Sequence, residues 1–254
     1  MLAMRVIGRT VSAVRAPDAW YLKGATTASG LRTALVGRRI SGVRRHGKLL
    51  LLDTADDGPT LGLRFGMTGR LVVDGVPGVD ALLYSSNADH PAWDRITLTL
   101  ARRGGRPGAL AVRDPRRLGG AELDPDDTRL GPDALTVGPR ELRAALGASA
   151  APLKARLLDQ ARIAGVGNLI ADEVLWRAGL DPSRGAGTLT DGEVRRLALT
   201  LRSTLADLIA RGGSHTGDLM AARAPGGRCP RDGAALLRGT VGGRTTWSCP
   251  AHQR

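Results

Sequence analysis

Hydrophobic positions along the chain follow two regimes. From Val6 to about Glu122 the apolar residues come in short runs, VIGRTVSAVR, KLLLLD, TLGLRF, RLVVD, RITLTLA and ALAVRD, separated by Gly, Pro and Asp. Alternating runs of this length, broken by turns such as Asp57-Gly58 and Gly104-Gly105, predict a mostly antiparallel β-sandwich or flattened barrel. One short helix over Ser29–Leu35 interrupts the strands, and Pro77–Trp93 reads as a longer surface loop.

From Leu153 the period becomes helical. Leu153, Leu157, Leu158 and Ala161 share one helical face; Ile170, Ala171, Val174, Leu175 and Ala178 share another. Between them lies Ala164-Gly165-Val166-Gly167-Asn168, whose glycines permit positive φ and close backbone approach. Asn168 is placed to cap the second helix and Gly179 to end it, so the unit reads as helix, tight double turn, helix. A further helix opens on the capping box Thr190-x-x-Glu193, presents Val194, Leu197, Ala198, Leu201, Leu205 and Leu208 on its apolar face, and stops at Gly212-Gly213. Leu130–Ala151 is rich in Gly, Pro and Ala, with a short helix near Arg140–Leu146, and sets a domain boundary. The expected architecture is α+β: an antiparallel β-sandwich over residues 1–130, a linker over 131–150, a helical domain over 151–222 and a terminal hairpin over 223–254.

The chain has 254 residues with 37 Lys+Arg against 24 Asp+Glu, a net charge of +13, and so is drawn to polyanions. No apolar run reaches the length of a membrane span and no apolar signal core opens the chain, which argues for a soluble, cytoplasmic protein and against a membrane partner. Arginine dominates the basic residues so heavily that only Lys23, Lys48 and Lys154 remain as lysines, places where a compact ammonium does what a guanidinium does not. Backbone N–H groups in a glycine turn at a helix N-terminus form an anion site, and in so basic a chain the anion is a nucleic-acid phosphate.

Three places in the β region carry candidate chemistry. His46-Gly47-Lys48 opens the strand KLLLLD and sets an amine at the mouth of a sheet. Gly66-Met67-Thr68-Gly69 is a glycine-flanked turn with a flexible apolar side chain, and Asp114-Pro115-Arg116-Arg117-Leu118 is a rigid turn with two guanidiniums. The only cysteines, Cys229 and Cys249, imply no disulfide framework. They begin Cys229-x-x-Asp232 and, after the sixteen residues Gly233–Ser248, Cys249-x-x-His252. A four-thiolate hairpin of this spacing holds zinc; here Asp232 and His252 take the second and fourth places, and both residue types bind zinc. A metal-free β-hairpin satisfies the same text. Arg244 lies at its tip, in GGRTT.

Taken in order, the R-x-x-K ending at Lys48, the G-M-T-G turn, the D-P-R-R turn, LLDQ with AGVGN, and the terminal hairpin resemble the formamidopyrimidine-DNA glycosylase and endonuclease VIII family of repair enzymes. The resemblance implies a helix-two-turn-helix that grips phosphates beside a damaged nucleotide, with Asn168 ordering the turn and Lys154 contacting phosphate. It implies that Lys48 meets a phosphate and assists catalysis, and that Met67, Arg116 and Leu118 fill the gap left by an extruded nucleotide. Leu118 stands where many relatives carry Phe. Apolar wedges and a planar cation offset the few kcal/mol of unstacking that extrusion costs. One structural zinc held by Cys229, Asp232, Cys249 and His252, and a DNA-contacting Arg244, follow from the same likeness. So do removal of oxidised bases from double-stranded DNA, lyase activity at abasic sites, and a monomer held at the nucleoid. A non-catalytic binder of damaged DNA and a general basic nucleic-acid-binding protein are the alternatives.

In that family the second residue, a proline, is the nucleophile and a glutamate follows it. This chain begins MLAMRVIGRTV, and GRTV matches text about a dozen residues into relatives. The expectation is that the proline-led segment is absent, through a start at an internal codon or through a natural derivative without the normal chemistry. Met1, kept because Leu2 is bulky, then offers a primary amine.

Overall fold

The structure, a computed structural model, describes residues 2–79, 82–83, 88, 90–101 and 105–254. The Met1 amine, Gly104 of the expected Gly104-Gly105 turn and part of the 77–93 loop lie outside the described residues. The chain divides into two compact units, Met1–Asp127 and Thr128–Arg254. No helix among the described residues is long and apolar enough to cross a membrane.

The first unit contains β1 (Thr10–Arg15), α1 (Ala28–Leu35), β2 (Ile40–His46), β3 (Leu49–Thr54), β4 (Leu61–Arg64), β5 (Arg70–Val73), β6 (Val76–Pro77), β7 (Asp94–Ala101), β8 (Gly108–Arg113) and β9 (Gly120–Leu123). One sheet has the order β1-β7-β8-β5-β6 and the other β2-β3-β4-β9, with every neighbouring pair antiparallel. β7 shows why the pattern folds this way: Ile96, Leu98 and Leu100 point inward while Arg95, Thr97 and Thr99 alternate outward. They share one core with Leu52, Leu61 and Leu63 of the other sheet and with Leu31 and Leu35 of α1. α1 begins where the Thr27 hydroxyl accepts the Gly30 N–H at 3.0 Å. At the expected Asp57-Gly58 turn it is Asp56 and Asp57 that take positive φ, a conformation Asp tolerates better than most residues.

The second unit contains α2 (Pro139–Leu146), α3 (Leu153–Leu158), α4 (Asn168–Ala178), α5 (Asp191–Ala210) and a hairpin of β10 (Leu237–Val241) and β11 (Arg244–Ser248). Residues 131–150 are part of this unit's core rather than a free linker: Ala134, Val137, Leu142 and Leu146 are buried with Leu153, Leu157, Val174 and Leu201. The backbone at Asp133 pairs with Ala164, and Gly131 N–H donates to Gln160 O at 2.9 Å, so the segment braces the turn between α3 and α4. α3 is shorter than its pattern suggested, and Ala161 lies exposed beyond its end. α4 ends at Gly179 in the left-handed region (φ 66°), and α5 opens on the expected Thr190/Glu193 box.

The hairpin is fastened to α3 and α4 by a buried charge. Asp172, in the middle of α4, pairs through Oδ1 with the Lys154 ammonium at 2.7 Å and through Oδ2 accepts from the Arg223 guanidinium and from the Trp247 N–H at 3.2 Å. Lys154 also donates to Thr245 O at 2.9 Å and Thr246 Oγ1 at 2.7 Å, and no part of its side chain meets solvent. Burial pushes the Lys154 ammonium below its usual value, and the Asp172 charge opposes that shift.

Removing one member of a buried ion pair strands the other, so Asp172→Ala is expected to destabilise the protein by about 3–5 kcal/mol in denaturant titrations. Lys154→Ala is expected to cost less, because Arg223 still neutralises the carboxylate; a surface lysine in that place would cost under about 0.5 kcal/mol. Glu193 supplies a pH test. The Arg184 guanidinium, then the Thr190 amide, draw its pKa down to about 2. Its contribution is therefore complete above the unfolded carboxyl pKa of about 4.3 and is lost as pH falls through about 2, so Glu193→Gln should flatten the stability profile over that window.

Candidate nucleic-acid interface and metal centre

In the first unit, strand register gathers the three motifs at one sheet end. His46 pairs with Leu49, Leu49 with Arg64, and Arg64 with Gly120, so the Gly47-Lys48 turn, the turn after β4 and the turn before β9 all leave the sheet at the same edge. The Gly66–Gly69 and Asp114–Gly119 turns touch: a Cβ built on Gly66, itself at φ +60°, would lie 2.7 Å from the Leu118 carbonyl oxygen. Only glycine permits that approach. Asp114, fully buried, clamps the two turns, accepting from Thr68 Oγ1 on one and from the Gly119 N–H at 2.8 Å on the other. Its carbonyl accepts from Arg95 Nε at 2.7 Å. Arg117 sits at φ +59° with its guanidinium on Asp18, Nε to Oδ2 2.6 Å. With their backbones fixed in this way, the turns leave Met67 53% and Leu118 44% exposed, and Arg116 and Lys48 are exposed as well.

In the second unit, Gln160 organises the turn: its Nε2 donates to Leu158 O at 2.9 Å and Val166 O at 3.0 Å, and its Oε1 accepts from Gly165 N at 3.1 Å. Gly165 takes φ +113°, while Gly167 is extended and is the residue at the N-cap of α4. Asn168 is therefore not the cap. It is the first helical residue, and its Nδ2 donates across to Thr245 O at 3.1 Å. No side chain caps α4, so its first-turn N–H groups remain available to an anion. Arg244, exposed beside Thr245, follows a turn in which Gly242 and Gly243 have φ 59° and 71°, the conformation of a tight two-residue hairpin. A Cβ on Gly242 would lie 2.8 Å from Ala155 Cβ, so the tip rests directly on α3. The turn and the tip thus share Asn168 and Arg244 on one surface. Lys154 lies beneath them, buried against Asp172, where a phosphate does not reach it.

Cys229, Asp232, Cys249 and His252 each offer a ligand atom, all within 4.8 Å of one another. Zinc bonds of about 2.0–2.3 Å fit such a set, and the surroundings suit it. His252 Nε2 lies 3.2 Å from Trp176 O, while Nδ1 lies 2.7 Å from Asp232 Oδ2 and 3.8 Å from Cys229 Sγ. Trp176 Nε1 donates to Cys229 Sγ at 3.2 Å, and Cys249 Sγ lies 3.3 Å from Asp232 Oδ2. The His252 ring, then the Ala234 amide, hold the Asp232 carboxyl well below the usual carboxylate range, whereas burial pushes the Cys249 thiol up.

Asp114, Asp172 and Gln160 were not among the sequence candidates. Asp114 and Gln160 stand inside the quoted motifs and Asp172 four residues after AGVGN, so a signal existed, though the helical period does not mark Asp172 as buried. Glu173 is a similar case, accepting from Asp218 N at 3.0 Å, Leu219 N at 2.9 Å and Arg177 Nε at 2.7 Å. It fixes the chain where it leaves the loop after α5.

Residues 1–121 match the model of the formamidopyrimidine-DNA glycosylase N-terminal domain, and residues 130–219 match that of the formamidopyrimidine-DNA glycosylase H2TH domain. The formamidopyrimidine-DNA glycosylase of Paracoccus denitrificans is 33% identical over 98% of this chain and 93% of its own length. That of Thermus thermophilus is 37% identical over 87% of this chain and 85% of its own length. The crystal structure of the Lactococcus lactis enzyme with DNA containing FAPY-dG is 26% identical, covers 100% of this chain and 96% of that one, and superposes with a TM-score of 0.79. The same enzyme with DNA containing an abasic site also gives 0.79 at 26% identity. Two domain models in sequence order, together with relatives aligned over nearly the whole length, place this chain in the formamidopyrimidine-DNA glycosylase family.

Proposed function

We propose that the protein is a base-excision repair DNA glycosylase that removes oxidised bases from double-stranded DNA and cleaves the strand at abasic sites. The observation that carries this reading is the apposition of Met67 and Leu118 on two turns held together by Asp114. A pair of exposed apolar side chains on rigid backbone, with exposed Arg116 on the same turn as Leu118, is suited to enter a base stack and occupy the space of an extruded nucleotide. Lys48, at the same sheet end, meets a phosphate next to that nucleotide. The first-turn N–H groups of α4, Asn168 and Arg244 take phosphates on the second unit; they set position and carry no base specificity.

One zinc ion bound by Cys229, Asp232, Cys249 and His252 supplies a rigid cross-link under the hairpin. The four side chains hold it and Trp176 orients two of them. The protein acts as a monomer in the cytoplasm, where nucleoid DNA lies.

The lyase step needs an amine at C1′ of the abasic sugar. Of the lysines, Lys154 is closed off by Asp172, and Lys23 donates to Trp20 O at 2.8 Å. These engaged amines are what favours a second reading, a binder of damaged DNA without the covalent step.

Affinity for duplex with an abasic site should exceed that for intact duplex, with both falling steeply as salt rises, because flipping costs least where pairing is already lost and phosphate contacts release counterions. Equal affinities across the salt series would refute damage recognition. Borohydride reduction on abasic DNA separates enzyme from binder: little adduct is expected from the 254-residue chain and strong trapping from a chain in which a proline-led segment is fused ahead of Leu2. Failure of the fused chain to trap, with abasic binding intact, would establish the binder. Elemental analysis after chelator-free purification should find one zinc per chain; under about a tenth of an equivalent would favour the metal-free hairpin.

A further inference from the structure

The chain contains four Trp, two Tyr and one Phe. Among the described residues Tyr21, Trp176 and Trp247 are buried, and Phe65 and Trp93 are half-buried. Trp20 is the exception, 68% exposed, more than any other large hydrophobic side chain described. It lies on a short 3₁₀ turn, Ala19–Tyr21, whose two aromatic residues go opposite ways. Tyr21 is fully buried and its hydroxyl donates to Arg64 O at 3.2 Å, anchoring the turn, while Trp20 stands in solvent.

This turn is built onto the edge that carries the two insertion turns. Asp18 accepts the Trp20 N–H at 3.2 Å and at the same time holds the Arg117 guanidinium, with NH2 to Oδ1 at 2.7 Å. Leu22 bridges to Ala121, and a Cβ on Gly120 would lie 2.7 Å from Lys23 Cγ, so residues 18–23 pack along residues 117–121. Lys23 places its ammonium 5.3 Å from the centre of the Trp20 ring and donates to the Trp20 carbonyl. Asp18, the one acidic group on this turn, is neutralised by Arg117. The Trp20 indole faces solvent with the half-buried Lys23 beside it, and Arg116 is exposed on the neighbouring 114–119 turn.

We infer that Trp20 is a further DNA-binding residue, a stacking platform for an unpaired nucleobase next to the gap that Met67 and Leu118 enter. An exposed indole wants an apolar flat partner, and a lysine and an arginine alongside want a negative backbone; an unstacked nucleotide supplies both. A second copy of this chain would bring the same cations against each other. The inference rests on the damaged-DNA reading above and adds a residue that neither the motifs nor the family matches mark.

The test measures affinities of the wild-type chain, Trp20→Ala and Trp20→Tyr for abasic duplex, intact duplex and oligothymidylate, with 2-aminopurine fluorescence in the strand opposite the abasic site. Base–aromatic stacking is worth about 1–3 kcal/mol, so Trp20→Ala should weaken binding to abasic duplex and oligothymidylate by about 5- to 150-fold. Trp20→Tyr should recover most of that loss, the salt slope should stay unchanged, and the 2-aminopurine signal should lose quenching only in Trp20→Ala. Wild-type-like affinity of Trp20→Ala, equal losses in both variants, or a wild-type dimer that Trp20→Ala dissociates in sedimentation would overturn the inference while leaving damage recognition standing. Equal wild-type affinity for abasic and intact duplex would instead overturn the reading on which it rests.

Discussion

The second unit depends on one carboxylate. A two-stranded hairpin is marginal by itself in water, and β10–β11 buries little apolar surface beyond Trp247 and Leu236 against Trp176. Asp172 compensates by drawing together three segments distant in sequence: Lys154 from α3, Arg223 from the connector before the hairpin, and the Trp247 amide on β11. Each partner alone would be an expensive buried polar group, and together their charges offset one another. The consequence reaches the surface. Thr245 O, which Lys154 and Asn168 both meet, lies next to Arg244, so the depth of the ion pair sets the height of the basic tip above the turn.

The first unit solves a different problem by similar means. There the requirement is to present apolar side chains to solvent without letting them collapse onto the core. Gly66 allows the backbones of two turns to touch, and Asp114 ties them from beneath, so that Met67 and Leu118 stay exposed. On the proposed reading, one unit supplies rigid wedges and the other donors for phosphate, the division between filling a stack and fixing a position that recognition of a flipped nucleotide calls for.

Much of this was legible in the sequence because it is written in period and in glycine. The alternation in RITLTLA returns as β7 with Ile96, Leu98 and Leu100 inside, and the Thr190/Glu193 box returns as the start of α5. What was not legible is partner choice. Local spacing puts Asn168 at a cap and the family likeness puts Lys154 on a phosphate, yet both turn to the same carbonyl, Thr245 O, 77 and 91 residues away along the chain, because a long-range contact outweighs a local one worth about 1 kcal/mol. A lysine next to a phosphate-binding turn and a lysine buried beneath it look alike until the hairpin that covers it is in place. The connector 131–150 misled for a related reason: its composition is that of a loop, but Ala134, Val137 and Leu142 are spaced to fill the core.

The central claim, that Asp172 sets Arg244 in position on DNA, is tested most directly by a double-mutant cycle on binding to abasic duplex, with the salt slope measured for Asp172→Asn, Arg244→Ala and the pair in chains whose folding is checked first. If the account holds, each single change lowers the slope by about 1, the value for one lost phosphate contact, and the pair loses no more than either alone. Additive losses, or an unchanged slope in Asp172→Asn, would mean that Arg244 finds its phosphate without the buried carboxylate, and would contradict it.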